Sequence, residues 1–184
     1  MILGLDISTS ITGVALLEKD GAYFSTLSWN TKKPKDLFEK AKIIHNLALE
    51  LKDELGDTKV EKIFIEQSLM FLSSGMSSAG TITKLAKFNG MVSWLIYEVF
   101  GVTPEFIGVT SARKACGIKV PRGRKGKDCV MEFLLDTEPR FPVEYTRHGN
   151  PKPEAFDRAD ALVIAKAGYT LCRAEKSSRY LVIY

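Results

Sequence analysis

Four carboxylates on three separate segments are the residues of this chain best able to do chemistry. Asp6 lies in MILGLDISTSITGVAL, Glu66 ends the apolar run KIFIE, and Asp157 and Asp160 lie three residues apart in FDRADALVIA. Acids at the ends of buried strand-like runs, or together on an apolar helix face, are costly unless something compensates their charge. A divalent cation does so. Magnesium takes oxygen ligands in near-octahedral geometry and keeps several waters, so a few carboxylates suffice and no His or Cys is required. Two such ions about 3.5–4 Å apart can activate a water, stabilise charge at phosphorus and help the leaving oxygen of a phosphodiester. The four acids therefore point first to a metal-dependent nuclease. Singly, each has a plainer reading: Asp6 as a turn residue at a strand end, Glu66 as an edge-strand acid, and Asp157 as a partner of Arg158 or a helix cap. Only the joint pattern points to a site.

Positioning those acids requires particular elements. Ile2–Ile7, Thr12–Glu18 and Ala22–Trp29 read as three strands with short turns, an antiparallel meander. Lys35–Leu55 carries Leu37, Ala41, Ile44, Ala48, Leu51 and Leu55 at alternating spacings of four and three, which predicts a helix ended by Gly56. Val60–Gln67 has the length of a buried strand, and the Ser/Gly-rich FLSSGMSSAG predicts a loop. Thr81–Phe100 is a second helix, with Gly90 in its middle where another helix could approach closely. Pro104–Thr110 reads as a strand, Lys127–Leu135 as a short helix, Glu138–Pro153 as a loop, Glu154–Ala174 as the last long helix and RYLVIY as a final short strand. This order predicts an α/β fold, a mixed sheet covered by helices. Asp6 and Glu66 would then project from adjacent strands, and Asp157 and Asp160 would share one helix face.

At 184 residues, 45% of them hydrophobic and 26% charged, the chain is expected to form one globular domain spanning 1–184. No apolar run approaches the ~20 residues of a membrane span, so no membrane partner is expected. MILGLDIST lacks a basic start and a small-residue cleavage site and reads as a strand rather than a leader. Cys116, Cys129 and Cys172 are isolated and odd in number, and His45 and His148 do not give them a zinc spacing. Reduced thiols in a cytoplasmic protein are the expected state. The net charge of +4 is uneven, because TSARKACGIKVPRGRKGK holds seven basic residues and no acid, leaving −3 for the remainder. Arg113, Lys114, Lys119, Arg122, Arg124, Lys125 and Lys127 are thus candidates for contact with a polyanion, the alternative being a solvated basic loop.

The motifs also resemble a known family. LDISTSITGVAL is similar to the first strand and hairpin of the RuvC-type Holliday junction resolvases, in the RNase H-like superfamily. IFIEQ resembles that family's second motif, and DRADALVIA its third, in which an acid or His is followed three residues on by Asp-Ala-Leu. The resemblance implies an RNase H-like fold with a five-stranded mixed sheet flanked by helices. It implies a homodimer whose two active sites make paired nicks in opposing strands of four-way DNA junctions. It implies that Asp6, Glu66, Asp157 and Asp160 are catalytic metal ligands for two Mg²⁺ ions, with Asp6 bridging them and Mn²⁺ able to substitute. The dimer interface would use the helix 81–100. Where bacterial members carry an aromatic wedge soon after Glu-Gln, this chain has Ser68 and Leu69, which leaves Leu69 or Phe71 for that part. The stretch KVPRGRKGK is longer and more basic than in many bacterial members, which fits a phage or viral member acting in a host cytoplasm on branched DNA.

Three other readings compete. Sugar kinases and actin-like ATPases open with a similar hairpin, but they need two such domains and lack the late acidic pair. A catalytically silent DNA-binding module would have no reason to keep repelling carboxylates beside a polyanion. A related nuclease acting on flaps, other branched DNA or RNA–DNA hybrids would share the fold, since fold does not settle substrate.

Overall fold

The structure, a computed structural model, describes residues 1–68 and 79–181, with side chains as far as Ala174. The elements run β1 (Ile2–Asp6), β2 (Ile11–Leu17), β3 (Tyr23–Asn30), α1 (Leu37–Leu55), β4 (Lys62–Glu66), α2 (Ala79–Phe100), β5 (Glu105–Ile107), α3 (Val109–Ala115), α4 (Gly126–Thr137) and α5 (Pro153–Leu181). They build a five-stranded sheet in the order β3-β2-β1-β4-β5. The first three strands pair antiparallel, and β4 joins β1 and then β5 in parallel. The mixed sheet read from the sequence is thus present, with its meander at one side.

Each face of the sheet packs on its own helices. Leu3, Leu5, Val14, Leu16, Ile63 and Ile65 meet Ile44, Ala48, Phe88, Val92 and Ile96 of α1 and α2. Ile2, Ala15, Leu17 and Phe64 meet Leu134 of α4 and Ala161, Leu162 and Ala165 of α5. The period of two in the strands makes this division possible, because alternate side chains enter opposite cores. Asp36 caps α1, its Oδ1 accepting from the backbone of Phe38 at 2.8 Å and Glu39 at 3.1 Å, and Gly56 ends the helix at φ 53° as expected.

The seat of α5 on the sheet is unusually close and depends on missing side chains. A Cβ on Gly4 would lie 2.6 Å from both the carbonyl oxygen of Ala161 and the Cβ of Ala165. One on Gly13 would fall inside the backbone carbonyl of Asp157. Glycine permits this approach of two backbones where any larger residue would push the helix away.

Two expectations are corrected. The strand predicted over Pro104–Thr110 stops at Ile107, and Val109–Ala115 is helix α3. Gly108 turns the chain, and Ala112, Arg113, Lys114 and Ala115 are good helix formers, with the two cations in the last turn where the helix dipole favours them. The expected strand in RYLVIY is not formed by its described part, since α5 continues through Arg179 and Tyr180 to Leu181. A helix satisfies its own backbone, whereas a strand needs a neighbouring edge. Gly90 is exposed with open space at its Cβ position among the described residues, while α2 turns Phe88, Val92, Ile96 and Val99 inward.

Gly13→Ala should therefore cost about 1–3 kcal/mol as an overpacking change, because α5 must lift off β2. Urea unfolding measures it, and an unchanged midpoint would show that the helix is free to move.

Candidate active site

Strand parity decides which face each acid takes. On β1, Ile2 and Gly4 face α5, while Leu3 and Leu5 face α1 and α2, so Asp6 falls on the α5 side. On β4, Phe64 faces α5, and Glu66 follows it by two. The parallel register pairs Gly4 with Phe64 and Leu5 with Ile65, so its next step sets Asp6 beside Glu66. Helix α5 crosses this same face, and Asp157 and Asp160 lie in its second and third turns. The contact of Gly13 with the Asp157 backbone brings that end of the helix to the strand ends.

Electrostatics show that the four acids act on one another. Burial pushes the Asp6 carboxyl well above the ordinary range, and the charges of Glu66, Asp160 and Asp157 push it further. Burial and Asp160 raise Glu66 to about 7. Asp157 and Asp160 are also raised, by burial first, with Lys127 pulling both back down. Two cations reach the cluster. Lys127 Nζ lies 3.4 Å from Asp160 and 3.7 Å from Asp157, and Arg113 Nη2 lies 4.0 Å from Asp160. Neither completes the compensation, since the four carboxyls stay raised with both cations in place.

Several groups that sequence reading passed over hold the strand ends in place. Asn89 of α2 donates from Nδ2 to the Glu66 carbonyl at 3.3 Å, and its own carbonyl accepts from Ser93 Oγ at 2.7 Å. The Gln67 backbone N–H donates to Ile107 at 3.0 Å, tying the exit of β4 to β5. After Asp6, Ser8 Oγ donates to the Ile11 carbonyl at 2.6 Å and accepts from its N–H at 3.1 Å. The buried ammonium of Lys40 donates to the carbonyls of Thr9, at 2.6 Å, and Thr31. Polar residues beside the buried faces of α1 and α2 were the available signal.

The basic segment divides by role. Arg113 and Lys127 reach the acids. Arg124 is tied to Glu132 at 3.0 Å. Lys114, Lys119, Arg122 and Lys125 are exposed, and a cleft of about 440 Å³ is lined by Arg113, Lys114, Gly117, Ile118 and Lys119. Leu69 and Phe71 lie outside the described residues. The donor set of the acidic cluster is all carboxylate oxygen, which suits a hard cation such as Mg²⁺ and not zinc. Among the described residues no three acid, His or Cys side chains close as a preformed cage.

Burial of an ionised Glu66, with repulsion from Asp160 added, should weaken the ion-free protein. Glu66 has an ordinary pKa of 4.5 and a folded value of about 7, so its ionisation costs nothing below pH 4.5 and its full penalty is present above about pH 7. With a chelator present, Glu66→Gln should raise stability at pH 8 by about 1–3 kcal/mol and leave it unchanged at pH 4. Thermal midpoints at the two pH values decide this, and equal effects at both would remove the ionisation of Glu66 as the cause.

No family model matches the chain. A relative, the crossover junction endodeoxyribonuclease RuvC of Pelodictyon phaeoclathratiforme, is 27% identical over 165 residues, covering 90% of this chain and 77% of the relative. Among solved structures, Thermus thermophilus RuvC superposes with a TM-score of 0.61 at 20% identity, covering 95% of this chain and 96% of that one. T. thermophilus RuvC in complex with a Holliday junction substrate gives the same TM-score at 17% identity, covering 94% of each chain. The solved structures establish the fold as that of RuvC, an RNase H-like α/β fold. Over most of its length, in sequence and in fold, the chain resembles the RuvC-type Holliday junction resolvases.

Proposed function

We propose that this chain is a metal-dependent, structure-selective DNA endonuclease that resolves four-way junctions by paired nicks in opposing strands. The observation that carries the reading is the set of four acids on one face of the sheet, all raised, by burial first, and incompletely compensated by Lys127 and Arg113. The name of the Pelodictyon relative supports the same reaction class. Asp6, Glu66, Asp157 and Asp160 would hold two Mg²⁺ ions, with Mn²⁺ able to substitute. Such ions supply an activated water and stabilise the charge that develops on the phosphate. The exposed Lys114, Lys119, Arg122 and Lys125 would neutralise phosphates of the DNA arms, contacts that position a duplex without reading its sequence. No helix among the described residues is long and apolar enough to cross a membrane. Cys116 and Cys129 are unbridged thiols, which suits a reducing cytoplasm.

A homodimer places two such sites for opposing strands. We assign its interface to α2, where Gly90, with open space above it, is followed on the same face by the exposed Trp94 and Tyr97. Phe38 of α1, 75% exposed, borders the same surface across a cleft of about 400 Å³ that Trp94 also lines. Large exposed aromatics clustered in this way mark an interface.

The reaction is tested on a synthetic four-way junction, against duplex, flap and RNA–DNA hybrid controls, with Mg²⁺, Mn²⁺ or EDTA. Paired nicks across the junction that require metal are expected, and cleavage in EDTA or equal cutting of the controls would overturn the assignment. Asp6→Asn should keep junction binding while losing cleavage by at least about 10³-fold, because the lost ligand serves chemistry rather than docking. For the interface, Trp94→Glu and Gly90→Leu should each yield a monomer by light scattering; an intact dimer in both would place the contact elsewhere.

A further inference from the structure

The cation nearest the acids comes from the chain itself, and its placement is loose. Lys127 Nζ stands 3.4 Å from Asp160 and 3.7 Å from Asp157. Ordinary surface pairs of this protein are tighter: Lys62–Glu105 at 2.6 Å, Lys152–Glu144 at 2.8 Å and Lys19–Glu61 at 2.9 Å. Lys127 is shared between two carboxylates rather than fixed on one. It projects from the first turn of α4, its side chain is 54% exposed, and its four-carbon stem leaves room for withdrawal. Arg113 differs in each respect. Its side chain is only 22% exposed, and its guanidinium packs so closely on α4 that a Cβ at Gly126 would collide with it.

We propose that Lys127 is a resident counter-cation: its ammonium holds Asp157 and Asp160 in the ion-free protein and leaves its place when a divalent ion binds. The inference rests on the reading of the acids as metal ligands and adds a role for a residue outside the ligand set. Lys127 faces Asp160 and Asp157 at once, so its one charge is spread over two of the four acids. An ammonium and a hydrated divalent cation seek the same carboxylate oxygens of Asp157 and Asp160, and an oxygen that faces the ammonium is not free to ligate the ion. Entry of the ion therefore displaces the ammonium, and the protein exchanges one positive charge for two. The exchange explains how a cluster of four acids folds before it meets metal, and it sets a threshold that a divalent ion must exceed to enter. Lys127 is in this sense a positioning residue, acting through the acids rather than on the substrate.

Calorimetric titration of DNA-free protein with Ca²⁺, together with thermal midpoints in EDTA, tests the proposal. Lys127→Met and Lys127→Gln should bind Ca²⁺ at least about tenfold more tightly than the wild type, since no ammonium competes. Their ion-free forms should melt lower. Lys127→Arg, which keeps the charge, should bind Ca²⁺ as the wild type does. A simple structural role would lower the melting temperature without tightening the ion. Unchanged or weaker Ca²⁺ binding in Lys127→Met and Lys127→Gln, with normal binding in the wild type, overturns the exchange and leaves the metal reading standing. A wild type that binds neither Ca²⁺ nor Mg²⁺ overturns both.

Discussion

Burial of four carboxylates in one place, under a helix seated almost on the sheet, is the constraint to which the rest of this fold is fitted. Carboxylates left to themselves would separate. Here they cannot, because Gly4 and Gly13 let α5 close onto β1 and β2, and Ala161 and Ala165 present nothing larger than a methyl. The strain is electrostatic rather than steric. Burial comes first in raising all four carboxyls, and neighbouring acids add to it at Asp6, Glu66 and Asp157. Functional sites commonly keep such unfavourable arrangements at the expense of stability.

The surrounding structure restrains what repulsion would disperse. Glu66 is held through its own carbonyl by Asn89, and the next residue is tied to β5. The turn after Asp6 is closed by Ser8 and by the buried ammonium of Lys40 on two carbonyls. These ties act on backbone, so they fix where the carboxylates start without consuming their oxygens. That leaves the side chains able to take a ligand. The helices on the far face serve the site at a distance: α2 brings Asn89, and α1 brings Lys40.

What could be read from the sequence was whatever has a period or a cost. The 4-and-3 spacing of Leu37, Ala41, Ile44 and Ala48 gave α1, and the expense of acids at apolar strand ends singled out Asp6 and Glu66. The acidic pair on α5 stood out because its neighbours are apolar. Roles that exist only after folding stayed hidden. Lys127 and Lys125 look alike in a basic run, yet one reaches the acids and the other stays on the surface. Gly4 and Gly13 have their meaning only against α5, which follows more than a hundred residues later. Helix α3 was misread because a short element offers too few residues for a period to show, and the RYL segment because strand propensity yields to a helix already under way.

Parity in β1 and β4 has a consequence for how such a chain can change over time. Each strand delivers its acid two residues beyond a side chain buried under α5, Gly4 before Asp6 and Phe64 before Glu66. Inserting or deleting one residue at either place would swing the carboxylate into the apolar layer beneath α1 and α2 and reverse every partner after it. Point replacements in these strands can be graded and repaired by a neighbour, but a change of length there cannot. The loop between α4 and α5, bound by surface ties such as Lys152–Glu144, carries no such count. Lineages of this fold should therefore differ in the lengths of their connections while the residue count from core to acid stays fixed.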